Sequence, residues 1–308
     1  MPYRLLDHEP PGPGFRRIAA EQVHAARIRL EGCLPEPQAA VHDVRKRLKK
    51  VRALLRLARS EIGEALYAGE NARYRDLGRL LAPVRDSHTR LEAARGLLER
   101  HGSLRDHAAF QAFETRLRAD RSERVGRFAG SEVCRQARSA LREAEGRPSE
   151  WPLDGPSFES LRPGLLRIYR QGQERMEAAC AEPSPDRFHD WRKRAKYLGY
   201  QLRILEPAWP AVLKTTTEAL HDMTALLGEA HDLSELEAAM YGLGAPLSSG
   251  PLGELLADLV AGRCTALHAR ARTLGERVYA EEPEAFAERI ASYWSAWRRH
   301  GAPSGASA

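Results

Sequence analysis

The sequence is poor in cysteine, aromatic residues and lysine, and it has no long apolar run. Its cysteines lie far apart, with no Cys-x-x-Cys pair, so a disulfide framework is excluded and a reducing compartment is expected. No stretch approaches the roughly 20 apolar residues of a membrane span, and residues 1–14 lack the apolar core of a signal peptide. We therefore expect a cytoplasmic protein without a membrane partner. Small buried thiols are expected at Cys33, Cys134, Cys180 and Cys264.

Aromatic residues make up only 7% of the 308 residues, whereas alanine, leucine, arginine and glutamate are abundant. This composition is typical of a soluble all-α protein, and it excludes collagen and an intrinsically disordered chain. Apolar periodicity predicts helices throughout and no strand. The predicted helices cover 15–32, 38–61, 70–100, 104–145, 158–181, 186–206, 209–243, 252–276 and 284–300.

Lysine occurs only six times, against 42 arginines. Five of the six lysines fall in two helix-length segments, 41–59 and 188–206, and only Lys214 lies outside them. The formal net charge of the chain is +6, yet these segments alone carry +7 and +3. Because the rest of the chain is slightly acidic, the positive charge is concentrated on two predicted helices.

The two basic segments repeat each other at an offset of 147 residues, which aligns His42 with His189 and Lys49 with Lys196. This similarity predicts an internal duplication. The segment GRPSEWPLDGPS, rich in Gly, Pro and Ser, separates the two halves. The predicted organisation is a flexible segment 1–14, a first helical bundle 15–147, a linker 148–157, a second helical bundle 158–300 and a disordered tail 301–308.

Each repeat helix is predicted to have a cationic face opposite an apolar face. In the first copy, His42, Lys49 and Arg56 fall on one side, and Val44 and Val51 on the other. This segment contains seven like-charged pairs spaced three or four residues apart, and such pairs cost about 0.2–0.5 kcal/mol each. Carboxylates of neighbouring helices or a bound anion would relieve the repulsion, and we favour the anion. The stripe is about 21 Å long, which suits a linear phosphate polymer.

The segments VHDVRKRLKKVR and FHDWRKRAKYLGYQLRILE resemble the two signature helices of the CHAD domain, the conserved histidine α-helical domain. The resemblance covers roughly residues 15–300. It implies an all-α fold of two pseudo-symmetric helical bundles, with the basic helices lining a central cleft or pore. It also implies binding of inorganic polyphosphate without catalysis, and we expect no metal and no cofactor. Other phosphate polyanions are alternative ligands. Polyphosphate-metabolising enzymes are candidate partners, and polyphosphate granules are a candidate location.

The predicted ligand residues share the cationic faces of the two repeat helices. They are His42, Arg45, Lys46, Lys49, Lys50, Arg52 and Arg56 in the first copy and His189, Arg192, Lys193, Lys196, Tyr197 and Arg203 in the second. An orienting or structural role is predicted in the motifs that follow each copy, for Arg85, Asp86, His231 and Asp232. In the first copy, Ala82-Pro83 replaces the small glycine-containing turn that is usual in the family.

A nucleic-acid-binding protein is the first alternative, and a helical scaffold without a polyanion ligand is the second. Nucleic-acid binding rests on charge alone, because the Trp and Tyr residues are scattered and lie mostly on apolar faces, a poor stacking platform for bases. Four His-Asp dipeptides invite comparison with metal-dependent phosphohydrolases, but the cations around His42 and His189 would repel a divalent metal. No GxxxxGK, GxGxxG, HExxH, GxSxG or ExExK motif occurs, so no motif supports an enzyme.

Overall fold

The computed structural model describes residues 3–7, 9–155, 157–242 and 250–300. Over these residues the chain forms twelve α-helices and three short 3-10 helices with no strand, so the predicted all-α class is confirmed. The α-helices are α1 (Pro11–Glu31), α2 (Pro37–Leu57), α3 (Arg59–Ile62), α4 (Glu64–Leu80), α5 (Ala82–Arg100), α6 (Ala108–Phe128), α7 (Glu132–Glu145), α8 (Phe158–Ala181), α9 (Pro185–Leu205), α10 (Pro210–Gly242), α11 (Gly250–Val278) and α12 (Pro283–His300). The 3-10 helices are Gly102–Asp106, Arg147–Glu150 and Glu206–Ala208. None of the described helices has an apolar stretch long enough to cross a membrane.

Proline and serine mark the starts of the two basic helices. Pro37 and Pro185 lie in the first turn of α2 and α9, where the missing N–H has no intrahelical partner to lose and the fixed φ suits the helix. Ser184 caps α9, since its hydroxyl accepts a hydrogen bond from the Arg187 N–H at 3.3 Å. Both basic helices therefore start shortly before the histidines of the repeat.

Three predicted helices are broken in the structure. The predicted helix 38–61 is α2 followed by the short α3, with Ala58 between them. The predicted helix 70–100 is two helices, α4 and α5, and Pro83 lies in the first turn of α5. A proline ring clashes with the carbonyl four residues earlier and has no N–H to donate, so it ends a continuous helix here. The predicted helix 104–145 is a 3-10 turn followed by α6 and α7. Ser131 starts α7 by accepting a hydrogen bond from the Cys134 N–H at 3.1 Å.

Residues 3–7 and 9–14 pack against the fold, whereas the sequence predicts a flexible segment over 1–14. Helix α1 begins at Pro11, and the side chains of Tyr3 and Leu5 are only 5% and 1% exposed. The Leu5 N–H donates a hydrogen bond to the carbonyl of Ile204, near the end of α9, at 3.1 Å. Burial of two large apolar side chains offsets the entropy lost by ordering this short stretch.

Two hydrophobic clusters hold the helices together, and each takes side chains from both halves of the chain. The larger one includes Phe15 of α1 and Trp191 of α9, and the smaller one joins α5 and α6 to α10 and α11. Trp151, within the predicted linker 148–157, is buried in the larger cluster. The internal duplication and the domain boundaries stay predictions, and the predicted tail 301–308 lies outside the described residues. Of the cysteines, Cys33 and Cys134 are buried and Cys180 and Cys264 are half-buried.

The apolar faces predicted for α2 and α9 are buried in the core. They consist of Val44, Leu48, Val51 and Leu55 on α2 and Trp191, Ala195, Leu198 and Leu202 on α9. The two helices also contact each other, and the Gln201 side-chain amide of α9 donates to the Ala53 carbonyl of α2 at 3.4 Å. Because the apolar faces of both helices point into the core, their cationic faces come together on another side of the pair.

Candidate functional site

A cleft with a volume of about 820 Å³ lies between α2, α5, α9 and α10. Nine of the thirteen ligand residues predicted from the sequence line it, namely His42, Arg45, Lys46, Lys49, Lys50, His189, Arg192, Lys196 and Arg203. The four residues with a predicted structural role, Arg85, Asp86, His231 and Asp232, also line it. The fold thus brings the cationic faces of both repeat helices to one cavity.

Four predicted ligand residues do not line this cleft. Arg52 and Arg56 donate to the Oδ1 atom of Asn71 at 3.0 and 2.9 Å. The Arg56 guanidinium also lies 4.1 Å from the ring centre of the buried Tyr197. Lys193 forms a 2.6 Å ion pair with the aspartate one helical turn earlier. Arg52 and Arg56 therefore form a separate cationic group with neutral partners, while the charge of Lys193 is balanced by a carboxylate.

Four lysines line the cleft. In the part of the chain that the structure describes, no carboxylate oxygen lies within 4.0 Å of the Nζ atoms of Lys46, Lys49, Lys50 and Lys196. Burial and the Arg192 guanidinium lower the pKa of Lys49 to about 8 and that of Lys196 to about 7. Burial and Lys46 lower the pKa of Lys50 to about 8. Positive charge is therefore destabilised in the free cleft, and an anion placed there would stabilise it.

Arg45 and Arg192 occupy equivalent positions on the two helices, and a backbone carbonyl holds each of them. Arg45 Nη1 donates to the Gly78 carbonyl at 2.5 Å, and Arg192 Nε donates to the Thr224 carbonyl at 3.2 Å. Glycine at 228 makes room for the second contact, because a Cβ atom there would lie 2.8 Å from Arg192 Nη2. Since a guanidinium has five N–H donors, each arginine keeps donors for a ligand.

Asp86 and Asp232 act on these two arginines at longer range. Burial lowers the pKa of both guanidinium groups, and Asp86 beside Arg45 and Asp232 beside Arg192 oppose that shift. No ion pair within 4.0 Å joins either carboxylate to its arginine over the described residues. Burial also raises the pKa of Asp232. Carbonyl oxygens thus make the direct contacts, and the orienting role of the two aspartates stays a prediction.

His42 and His189 lie in the cleft as neutral imidazoles at neutral pH. Burial, together with Arg85 and Lys46, lowers the pKa of His42 to about 4. Burial and the neighbouring His231 lower the pKa of His189 to about 3. The ring centres of His189 and His231 lie 4.0 Å apart. The Nδ1 atom of His189 is buried and has no hydrogen-bond partner among the described residues. Both histidines therefore add hydrogen-bonding atoms, rather than charge, to the free cleft.

The structure adds cleft residues that the sequence does not predict, many of them on α10. They are Thr89, Arg90, Ala195, Gly199, Tyr200, Thr217, Glu218, Leu220, His221, Asp222, Thr224 and Glu235. Helical spacing could have found Tyr200, which follows Lys196 by one turn on the same face of α9. On α10, His221-Asp222 is one of the four His-Asp dipeptides, but the α10 residues neither belong to the basic repeat nor form a run of one charge, so charge counting does not find them.

The α10 side of the cleft carries carboxylates from Glu218, Asp222 and Glu235, in contrast to the cationic side formed by α2 and α9. Over residues 3–7, 9–155, 157–242 and 250–300, no group of three or more His, Cys, Asp or Glu side chains could hold a metal ion. The cations that could bind an anion therefore come from α2 and α9, together with Arg85 and Arg90 of α5.

The fold and the cleft define an all-helical protein built around two basic helices that share one cavity. The CHAD domain family model matches residues 17–241, and the chain belongs to this family. Its structure is similar to that of PptA from Streptomyces chartreusis, with a TM-score of 0.54 and 18% sequence identity, covering 92% of this chain and 99% of that chain. A second similar structure is the CHAD domain from the plant Ricinus communis, with a TM-score of 0.49 and 18% identity, covering 94% and 96%. No curated protein sequence matches the chain.

Proposed function

We propose that this protein binds inorganic polyphosphate in the cleft, without catalysis. One observation carries the proposal: Lys46, Lys49, Lys50 and Lys196 line one cavity and, among the described residues, have no carboxylate partner. Like charges held together are destabilising, and a bound polyanion replaces that repulsion with attraction. Membership of the CHAD domain family, which is associated with polyphosphate binding in general, supports the same class of ligand.

The dimensions of the cationic surface support a long, narrow ligand. The cleft residues of α2, from His42 to Lys50, extend over about 12 Å, and those of α9, from His189 to Arg203, over about 21 Å. Arginine can bind two phosphate oxygens at once, and lysine can follow a flexible chain as a point charge. A polymer with charges along its length can contact both helices, whereas a single phosphate would leave most of the cations unneutralised.

The cleft offers little that would select a nucleic acid. Tyr200 is the one Phe, Trp or Tyr side chain in its described lining, and single-stranded nucleic acids bind largely by stacking on such rings. The α10 carboxylates of Glu218 and Asp222 would also repel a bulky polyanion that fills the whole cleft. A nucleic acid is therefore the comparison ligand in the test of this proposal.

The test is a competition experiment at fixed salt, because the affinity of basic proteins for polyanions depends strongly on ionic strength. Labelled polyphosphate is displaced by unlabelled polyphosphate, by single-stranded DNA and by RNA of matched total charge. We expect polyphosphate to compete at clearly lower concentrations than either nucleic acid. Equal competition by all three would contradict the proposed selectivity, and the absence of binding at low salt would favour a helical scaffold.

The location and partners of the protein follow from the same proposal. We expect it to collect at cytoplasmic polyphosphate granules, where enzymes that metabolise the polymer would be its protein partners. Fluorescence microscopy can test this location with the wild-type chain and with a variant that carries both Lys49→Ala and Lys196→Ala. Loss of granule association in the variant is the expected result, and unchanged association would show that the cleft is not responsible.

A further inference from the structure

The N-terminal segment, residues Tyr3 to Asp7, is attached to the end of α9 that lies beside the cleft. The Leu5 N–H donates to the Ile204 carbonyl at 3.1 Å, and Arg4 forms a 3.1 Å ion pair with Glu206. Tyr3 is 5% exposed and Leu5 is 1% exposed. The segment therefore has a fixed place in the fold, although its sequence has no helical or repeat pattern.

Tyr3 contacts one cationic residue of the cleft in two ways. Its hydroxyl donates to the Lys50 carbonyl at 2.8 Å, and the centre of its ring lies 4.7 Å from Lys50 Nζ. The ring also packs edge-on against Tyr200 of α9, at a centroid distance of 6.0 Å. Lys50 of α2 and Tyr200 of α9 both line the cleft, so Tyr3 contacts one cleft residue on each helix.

The positive charge of Lys50 is destabilised by its surroundings, so a nearby aromatic ring would stabilise it. Burial, Lys46, Arg203 and Arg47 together lower its pKa to about 8, while the nearby Asp43 opposes the shift. An aromatic ring close to an ammonium group favours the charged form, because the face of the ring is electronegative. Burial raises the pKa of the Tyr3 hydroxyl, so Tyr3 remains a neutral hydrogen-bond donor to the Lys50 carbonyl.

The other end of the contact between α2 and α9 has a comparable arrangement. There the Arg56 guanidinium of α2 lies 4.1 Å from the ring centre of Tyr197 on α9. Tyr197 aligns with Lys50 when the two basic segments are compared at the offset of 147 residues. The first segment therefore has a lysine where the second segment has an aromatic ring. The N-terminal segment supplies the missing ring as Tyr3.

We propose that Tyr3 is a positioning residue for polyanion binding, which holds Lys50 charged and in place at one end of the cleft. The inference rests on the proposed function for its consequence, namely tighter polyphosphate binding. The contact between Tyr3 and Lys50 itself is independent of that function and can be measured in the free protein.

The experiment compares Tyr3→Leu, which removes the ring, with Tyr3→Phe, which keeps the ring and removes the hydroxyl. Polyphosphate affinity is measured for both, alone and combined with Lys50→Ala. We expect Tyr3→Leu to weaken binding about threefold, in line with a modest cation–π contact, and Tyr3→Phe to bind like the wild type. Tyr3→Leu should have no further effect in the Lys50→Ala background. Wild-type affinity of Tyr3→Leu, or an equal loss in that background, would overturn the proposal.

Two measurements separate this role from a general loosening of the segment and from failure of the proposed function. Leu5→Ala is the matched control, because it truncates another buried side chain of the same segment and leaves Tyr3, which makes the hydrogen bond and the ring contact to Lys50, in the sequence; a loss of binding as large as that of Tyr3→Leu would overturn the proposal. NMR titration of the six lysine side chains follows Lys50 without any ligand. The Lys50 pKa should fall in Tyr3→Leu and stay in Tyr3→Phe, even if the wild type proves not to bind polyphosphate.

Discussion

Basic residues are arranged in two different ways on this protein. On the outer helix α6, arginines pair with carboxylates of their own helix, as Arg118 does with Glu114 at 2.6 Å and Arg124 with Asp120 at 2.7 Å. In the cleft, the cations of α2 and α9 face one another, and the half-buried Lys49 has no carboxylate within 4.0 Å among the described residues. The number of basic residues therefore does not distinguish a solvated surface from a binding site, whereas their pairing does.

The largest expected effect concerns the core beneath the cationic face of α9. Trp191 is fully buried next to Arg192, and we expect Trp191→Ala to lower the free energy of unfolding by about 3–5 kcal/mol, since it leaves a large cavity. Urea denaturation measures this loss. Lys193→Ala, on the exposed side of the same helix, is the control and should change the stability by less than about 1 kcal/mol. Equal effects of the two substitutions would contradict the assignment of the two faces.

The next largest effect is a loss of binding when the unpaired lysines of the cleft are removed. Lys49→Ala and Lys196→Ala should each weaken polyphosphate binding by about tenfold or more, and each should reduce its salt dependence, because each removes a charged contact to the polymer. The melting temperature should stay the same or rise, since repulsion in the free protein is relieved. Calorimetric titration at several salt concentrations measures the first two quantities.

The control for this prediction is Lys214→Ala, because Lys214 lies outside both basic helices and 3.9 Å from Glu218. It should leave binding and melting temperature close to those of the wild type. A clearly lower melting temperature in Lys49→Ala and Lys196→Ala, with binding per folded molecule intact, would show that these lysines are structural and that the site is assigned wrongly.

A smaller effect is proton uptake on binding. The pKa of Lys49 is lowered to about 8 and that of Lys196 to about 7, and a bound polyanion favours the charged forms. Binding at about pH 8 should therefore take up protons, and affinity should fall as the pH rises above about 7. The stability of the free protein should change in the opposite direction and rise over the same range. Above about pH 7, the lysines of the unfolded chain, with pKa values of about 10.4, still hold protons that the folded cleft has released.

Calorimetry in buffers of different ionisation enthalpy measures the uptake. Lys196→Arg is the matched control, because a guanidinium stays protonated throughout this range, and it should take up fewer protons than the wild type. No net uptake by the wild type at about pH 8 would mean that the polymer does not contact these lysines.

The smallest effect is expected on the outer surface. Arg118→Ala removes an exposed ion pair with Glu114, one helical turn away, and should lower the stability of the protein by no more than about 0.5 kcal/mol. Its affinity for polyphosphate should equal that of the wild type in the same titration. A loss of affinity comparable with that of Lys49→Ala would remove the distinction between paired and unpaired cations.

The features that repeat along the chain are the ones that the sequence predicts. Apolar periodicity gives the all-α class and the buried faces of α2 and α9, and charge counting finds nine of the thirteen proposed ligand residues in the cleft. These features are local, since a helix places residues three or four apart on one face. The break before α5 was also open to prediction, because Pro83 cannot continue a helix.

Contacts between distant segments are the part that sequence reasoning misses. Tyr3 packs beside Lys50 and Tyr200 although it is far from both in sequence, and a segment rich in Pro and Gly suggests a frayed end. The α10 side of the cleft is missed for the same reason, since Glu218 and Asp222 line the cleft only because α10 packs against α9. Arg52 and Arg56 share the cationic stripe of α2, but they lie beyond the cleft, beside Asn71.

A crystal structure with a short polyphosphate bound tests the central claim most directly. Polyphosphate oxygens are expected within hydrogen-bonding distance, about 3 Å, of the Nζ atoms of Lys49 and Lys196, with one chain contacting both α2 and α9. A polymer bound along the paired arginines of α6, with the cleft left empty, would contradict the account.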